Sequence, residues 1–256
     1  MTELLGQYGT LVIAATFLIA LVAGFVKGAV GFALPMIMIS GVGALMSAEA
    51  AVASIILPGL ITNTQQAVRD GLAAAVATAK KYWRLNLLLL LLIGVFAQLL
   101  AILPDWLFFV ILGAMVSVAG VLQLIGWRPQ FTSKQAPRAE SATGLIAAFF
   151  GGIAGVWGPP ILLYLLARNT PKAEQVRTQG IAFLIGCVVL LGAHLRSGVL
   201  NSATLPFSAW LAVPAVVGMV IGMRVQDRLD QAKFRTVTLV VLVLAGLNLL
   251  RRGIFG

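Results

Sequence analysis

Lys27 stands beside a cluster of helix-breaking residues in the middle of apolar sequence. Gly28, Gly31 and Pro35 follow it, and Gly152, Gly155 and Pro159 repeat the pattern 124 residues later, with Gly158 and Pro160 added. Glycine and proline release the backbone from regular helix geometry. In lipid that release is tolerated only where the freed groups are buried in protein or line a wet cavity. A half-helix that begins at such a break turns unpaired N–H groups and a positive dipole end toward whatever fills it, which suits a small anion. Lys27 would add a full charge, and an ionisable residue at membrane depth is a functional candidate by default. The plainer alternative is a side chain that snorkels to the interface. Phe32 lies inside the first break and Trp157 inside the second, where its indole would be either a gate or packing.

The remaining polar residues add candidates and exclusions. Asn63, Thr64, Gln65 and Gln66 end an apolar segment and could hydrogen-bond an oxoanion or mark an interface; Asn63 and Thr64 are taken as site candidates. Arg177, Thr178 and Gln179 begin the equivalent segment of the second half, facing either the site or a loop. The single histidine, His194, reads as interfacial, and the single cysteine, Cys187, as a small buried hydrophobe. All eight carboxylates (Glu3, Glu49, Asp70, Asp105, Glu140, Glu174, Asp227, Asp230) fall at predicted segment ends or in loops. A cation carrier or proton relay would want one at mid-membrane. An intramembrane enzyme would need a Ser–His pair, paired aspartates or an acidic metal cluster, and the chain offers none of these at depth. No catalytic residue, metal or cofactor is therefore expected. The anion reading has a driving force at hand: a potential negative inside moves a monovalent anion outward by about 2.3 kcal/mol per 100 mV.

Positioning these residues falls to an all-α transmembrane fold. The 256 residues are 60% hydrophobic and only 10% charged, with a mean hydropathy of +1.02. Soluble domains carry about 25% charged residues. The formal charge of +10 is not a nucleic-acid signature, because the basic residues are scattered between apolar runs as the positive-inside rule requires. The N-terminus lacks a basic n-region, so the first helix is expected to be retained. The repeat extends past the breaks: Ala48 and Glu49 match Ala173 and Glu174, Gly94 matches Gly218, and Phe108, Ala119, Gly120 and Leu124 match Phe234, Ala245, Gly246 and Leu250. Repeat one covers residues 8–127 and repeat two 140–252, joined by a polar cytoplasmic linker, 128–139.

Each repeat holds five apolar segments, near 10–27, 31–46, 49–68, 85–103 and 106–126, then 141–153, 158–168, 174–195, 206–223 and 234–250. Segment 158–168 would reach only about 17 Å, so the opening pair of each repeat reads as a hairpin tipped by the break. An odd number of segments inverts the second repeat, and the two tips are expected to meet near the midplane. Fourteen of the 18 basic residues then lie on the cytoplasmic side, Arg196, Arg251 and Arg252 outside, and the N-terminus outside. Arg251 and Arg252 are a mild violation of the rule.

The chain resembles the sulfite exporter family of the TauE/SafE type. The likeness rests on Gly28-Ala29-Val30-Gly31-Phe32-Ala33-Leu34-Pro35, on Gly151-Gly152-Ile153-Ala154-Gly155-Val156-Trp157-Gly158-Pro159-Pro160, and on Pro171 to Thr178 with Arg177 seventeen residues after Pro160. The resemblance implies a multipass protein of a bacterial inner membrane that exports sulfite or a related sulfur-containing organic anion. Lys27 matches no position of the family pattern and stands on the charge argument alone. An anion channel and a carrier of small carboxylates are the alternatives. The expected partners are the small anion and the bilayer; a homodimer is left open.

Overall fold

The computed structural model describes residues 2–127, 129–225 and 230–255. Readings on Arg128, Asp227 and Arg228, and on the side chains of Glu3, Phe234 and Arg235, lie outside what is described. Among the described residues there are eleven α-helices, a 3-10 turn at Gln98–Ala101 and no strand. The first half contains α1 (Thr2–Val30), α2 (Leu34–Gly43), α3 (Ala48–Val68), α4 (Leu72–Lys81), α5 (Trp83–Ala97) and α6 (Asp105–Leu124). The second contains α7 (Ala136–Ala154), α8 (Gly158–Ala167), α9 (Lys172–Ser197), α10 (Thr204–Val225) and α11 (Gln231–Phe255). Six spans, in α1, α5, α6, α9, α10 and α11, are long and apolar enough to cross a membrane.

The helices interlock across the two halves. α1 packs on α10 and α7 on α5, while α3 lies against α9 and α6 against α11. Glycines set both the closeness and the direction of these pairs. Gly24 and Gly28 of α1 face Ala215 and Met219 of α10, and Gly218 and Gly222 return the contact to Leu21 and Phe25, so the two helices run parallel. Gly144 and Gly152 of α7 face Leu85 and Ile93 of α5 in the same sense. A Cβ at Gly152 would lie 2.8 Å from the Ile93 carbonyl oxygen, and one at Gly24 would lie 2.9 Å from the Ala215 α carbon. Without a hydrophobic drive between helices in lipid, such backbone approach supplies the association through dispersion. The other two pairs run antiparallel. Gly113 meets Gly246 while Gly120 meets Val243, and α3 meets α9 at Gln66 beside Val176 and at Asn63 beside Cys187.

Two expectations need correction. The stretch 69–84, given no element between the segments 49–68 and 85–103, contains α4, whose short alanine-rich sequence lacks a spanning pattern but forms a helix lying over the start of α9. The linker turns helical at Ala136, with Pro137 in the first turn. There the buried Glu140 accepts the Leu85 N–H at 3.1 Å, an anion at the opening of α5. Arg252, out of place by charge counting, donates to the Gly43 carbonyl at the end of α2 and stacks over the Phe109 ring at 4.3 Å. A helix that ends inside the bundle leaves carbonyls that need such a donor.

Replacing Gly24 or Gly222 by Val should force α1 off α10. Over-packing of this kind costs about 1–3 kcal/mol, so thermal melting in detergent should fall by several degrees. Gly192→Ala, where the new methyl meets open space, should melt no lower than wild type. A Gly222→Val protein with the wild-type midpoint would contradict the packing.

Candidate functional site

The first break is built in three steps. α1 ends as the Gly31 N–H returns to the Lys27 carbonyl at 2.7 Å. Gly31 then takes φ +88°, a left-handed conformation that a side chain would strain. Ala33 follows at φ +79° as the residue before α2, whose first turn carries Pro35. Neither Phe32 nor Ala33, Leu34 nor Met36 donates its amide to an acceptor among the described residues. Lys27, one turn before the bend, is only 2% exposed. It enters no ion pair among the described residues, and its Nζ donates to the Asn63 side-chain oxygen. Asn63 Nδ2 in turn lies 3.6 Å from Cys187 Sγ, so a polar chain runs from α1 through α3 to α9.

Gln66 fastens this break to the other half. It is buried, and its Nε2 donates to the Gly31 carbonyl at 3.0 Å and to the Val176 carbonyl at 2.7 Å. A cavity of about 410 Å³ opens beside it, lined by Lys27, Gly28, Gly31, Gln66, Arg69 and Met219, among others. It extends to the exposed Gln65 and Arg69, so it is reached from the end of the bundle where α3 stops.

α4 braces that end. Arg177 donates to Thr78 Oγ1 at 2.7 Å and pairs with Asp70 at 2.5 Å, while Glu174 takes Lys81 at 2.6 Å and the Tyr82 hydroxyl at 2.7 Å. Burial first, and then the Glu174 carboxylate, push the Tyr82 phenol far above its ordinary range, so it stays a donor. The Lys81 contact is largely exposed and holds little by itself. What the strap fixes is the start of α9 against the loop after α3.

The second break shares the bend but not the polar cavity; the one beside Pro159 and Pro160, of about 740 Å³, is lined by apolar side chains such as Phe149, Phe150 and Leu163. Gly155 takes φ +65°, and its N–H returns to the Gly151 carbonyl at 2.8 Å. Gly151 is the repeat counterpart of Lys27, and here the space is filled by Trp157. That indole is 1% exposed and has no partner for its N–H among the described residues. A Cβ at Gly151 would come within 2.5 Å of the ring and one at Gly186 within 2.7 Å, so two glycines make the slot. Ile55 and Leu190 close over Gly155. Pro159 and Pro160 bring no N–H to the start of α8, so this break presents fewer donors than the first.

The candidates are therefore dispersed. Lys27, Gly28, Gly31 and Asn63 come together. Phe32 and Gln179 line a neighbouring cavity of about 350 Å³ with Val176. Gly28 and Gly152 do their work against neighbouring helices. Arg177 is committed to Asp70 and Thr78, and Thr178 donates to its own helix at the Glu174 carbonyl. Thr64 is exposed and likewise bonds its own helix, at Leu60. Gly155, Trp157, Gly158 and Pro159 belong to the closed second break.

The two tips do not meet each other. Along α3, Gln66 at one tip and Ile55 at the other are eleven residues apart, about 16 Å. α1 and α7 end only three and one residues past the expected 27 and 153, so the separation lies in where the two bends meet α3, one at Gln66 and the other at Ile55. His194 is fully buried rather than interfacial, with Nδ1 3.3 Å from Ser197 Oγ. Sequence reading passes over Gln66 as a site residue, although it sits three residues after Asn63 on the same helical face, away from Thr64 and Gln65.

Asn63→Leu would leave the buried Lys27 Nζ without its acceptor, a loss of about 1–3 kcal/mol for an unsatisfied buried donor. Adding Lys27→Met should recover most of that stability in detergent melting. Additive losses in the double variant would mean that the two side chains are not coupled.

Among the described residues no cluster of three His, Cys, Asp or Glu side chains could hold a metal ion. No curated protein and no solved structure matches the chain significantly. The family model for the sulfite exporter TauE/SafE matches residues 16–249. That range takes in both breaks, the Lys27 cavity and the α4 strap. The chain belongs to the sulfite exporter TauE/SafE family.

Proposed function

We propose that this multipass membrane protein is a carrier that exports a small anion, sulfite or a related sulfur-containing organic anion, by alternating access around Lys27. The observation that carries the reading is the Lys27 side-chain nitrogen: buried, beside a left-handed glycine bend, answered by a neutral carboxamide, at the end of a cavity. Burying a cation without a counter-charge is costly. A visiting anion would supply the missing charge, and nearby α2 begins there with uncommitted amides. Family membership supplies the class of substrate.

The same reading takes residues 8–127 and 140–252 as two inverted repeats. It is supported by the antiparallel crossing of α3 with α9 and of α6 with α11, the helices that correspond by sequence. Such a pair is what a two-fold axis across the helices would generate. The described conformation is then open where Arg69 lies and shut at Trp157, and export requires the Trp157 side to open while the Gln66 side closes. Only the first break would bind the anion in this state; the second would act as the closed gate.

Proteoliposomes loaded with sulfite provide the test. Wild type should show saturable efflux stimulated by sulfite on the other side, whereas a channel would show no such stimulation. Lys27→Met should lose at least tenfold in affinity, and Gly31→Leu should abolish transport while still inserting, because the branched side chain would meet Val176 and strain the bend. Normal efflux by Lys27→Met would sink the assignment.

A further inference from the structure

The Lys27 cavity is the inner of two that share a wall. A second, of about 400 Å³, lies outside it and is lined by Gln66, Arg69, Asp70, Lys172, Val176 and Arg177. Gln66, Arg69 and Val176 line both. The outer cavity holds three cations and one carboxylate, but the charges are not free to mix. Asp70 is taken by Arg177 at 2.5 Å, and the same guanidinium is held by Thr78. Arg69 and Lys172 are both exposed and have no ion-pair partner among the described residues. Lys172 also opens α9, so the positive end of that helix adds to the same field.

We propose that Arg69 and Lys172 form an outer anion site, distinct from Lys27, which captures the oxoanion before it passes Gln66. This rests on the reading that Lys27 binds the anion, and adds a station ahead of it. The geometry gives each residue its part. Arg69 reaches both cavities and can follow an anion from one into the other, whereas Lys172 faces only the outer of these two. Gln66 stands between them with both N–H donors engaged, so passage past it requires the Gly31 and Val176 bonds to loosen. The two stations differ in kind. The outer cations are solvated, so their attraction falls as salt rises, over a screening length of about 10 Å at 0.1 M. Lys27 is desolvated and is screened much less. The bilayer's preference for cationic inner loops would also put basic residues here. It would not give them the anion stoichiometry and salt response that a site must show.

Calorimetric titration of the purified full chain with sulfite, at low and at raised salt, tests the proposal. Wild type should bind in two phases, of which only the weaker is lost at raised salt. The variant Arg69→Gln with Lys172→Gln should keep the salt-resistant phase and lose the other. In proteoliposomes it should raise KM for sulfite about tenfold at low salt with maximal efflux unchanged, as lost electrostatic steering would. Both side chains are exposed, so its melting temperature should match wild type. Lys27→Met should show the converse, retaining the salt-sensitive phase alone. A double variant with both phases and the wild-type KM overturns the outer site, as does a Lys27→Met protein that binds no sulfite at all. If Lys27→Met keeps the salt-resistant phase, it is the Lys27 assignment that fails instead. Wild type that binds no sulfite sinks both.

Discussion

Inside a lipid-embedded bundle, an ammonium group has few ways to be tolerated. Lys27 uses one of the less complete ones, a bond to the neutral Asn63 carboxamide, with Cys187 behind it and no carboxylate among the described ion pairs. Much of the surrounding architecture answers that deficit. The Gly31 bend keeps backbone amides close by, Gln66 holds the bend against α9, and the cavity gives the charge a route to water. In the proposed carrier an anion would complete the electrostatics that the protein leaves open there.

Keeping such a site in place needs rigid walls, and glycine provides them. Gly24, Gly28, Gly218 and Gly222 bring α1 and α10 together until backbone faces backbone, which fixes the height of Lys27 against its neighbours. The contact is made by main chain and has little slack, so displacing α1 means displacing α10 with it. In the proposed carrier the two helices would therefore move as one body. The bonds that must change during transport would be fewer and more polar: the two donated by Gln66, and the closure of Ile55 and Leu190 over Gly155.

The sequence makes some of this visible and hides the rest for identifiable reasons. The breaks fall where Gly31 and Gly155 place them, because a left-handed bend is cheap only for glycine. The matched acids Glu49 and Glu174 both lie in the first turns of corresponding helices, α3 and α9. Spacing cannot say which glycines bend the chain and which let another helix approach, so Gly28 and Gly152 look the same as Gly31 and Gly155 until their neighbours are known. α4 is invisible to a search for spanning segments because its exposed Leu72 and Val76 face outward from a helix of only ten residues. The contact of Asn63 with Cys187 is in principle legible, since the two are 124 residues apart, the offset of the repeat itself. In the proposed inverted repeat, counterparts near the two-fold axis would meet one another.

That same offset explains how a duplicated chain acquires a direction. Where the first half has Lys27 the second has Gly151, and where the first has Ala33 the second has Trp157. The exchanges are linked, because the indole occupies the volume that a side chain at position 151 would need. Pro160 extends the difference by removing a further amide where the first half has Met36, which keeps one. One bend thus lies beside a basic side chain, rich in donors and next to a polar cavity, the other is apolar and poor in donors, although both share a backbone path. Two equivalent bends would make two equivalent anion sites about 16 Å apart and leave no closed side. In the proposed carrier, loading the charge onto one bend and the plug onto the other would give a single binding site with a barrier behind it, which is the minimum that alternating access requires.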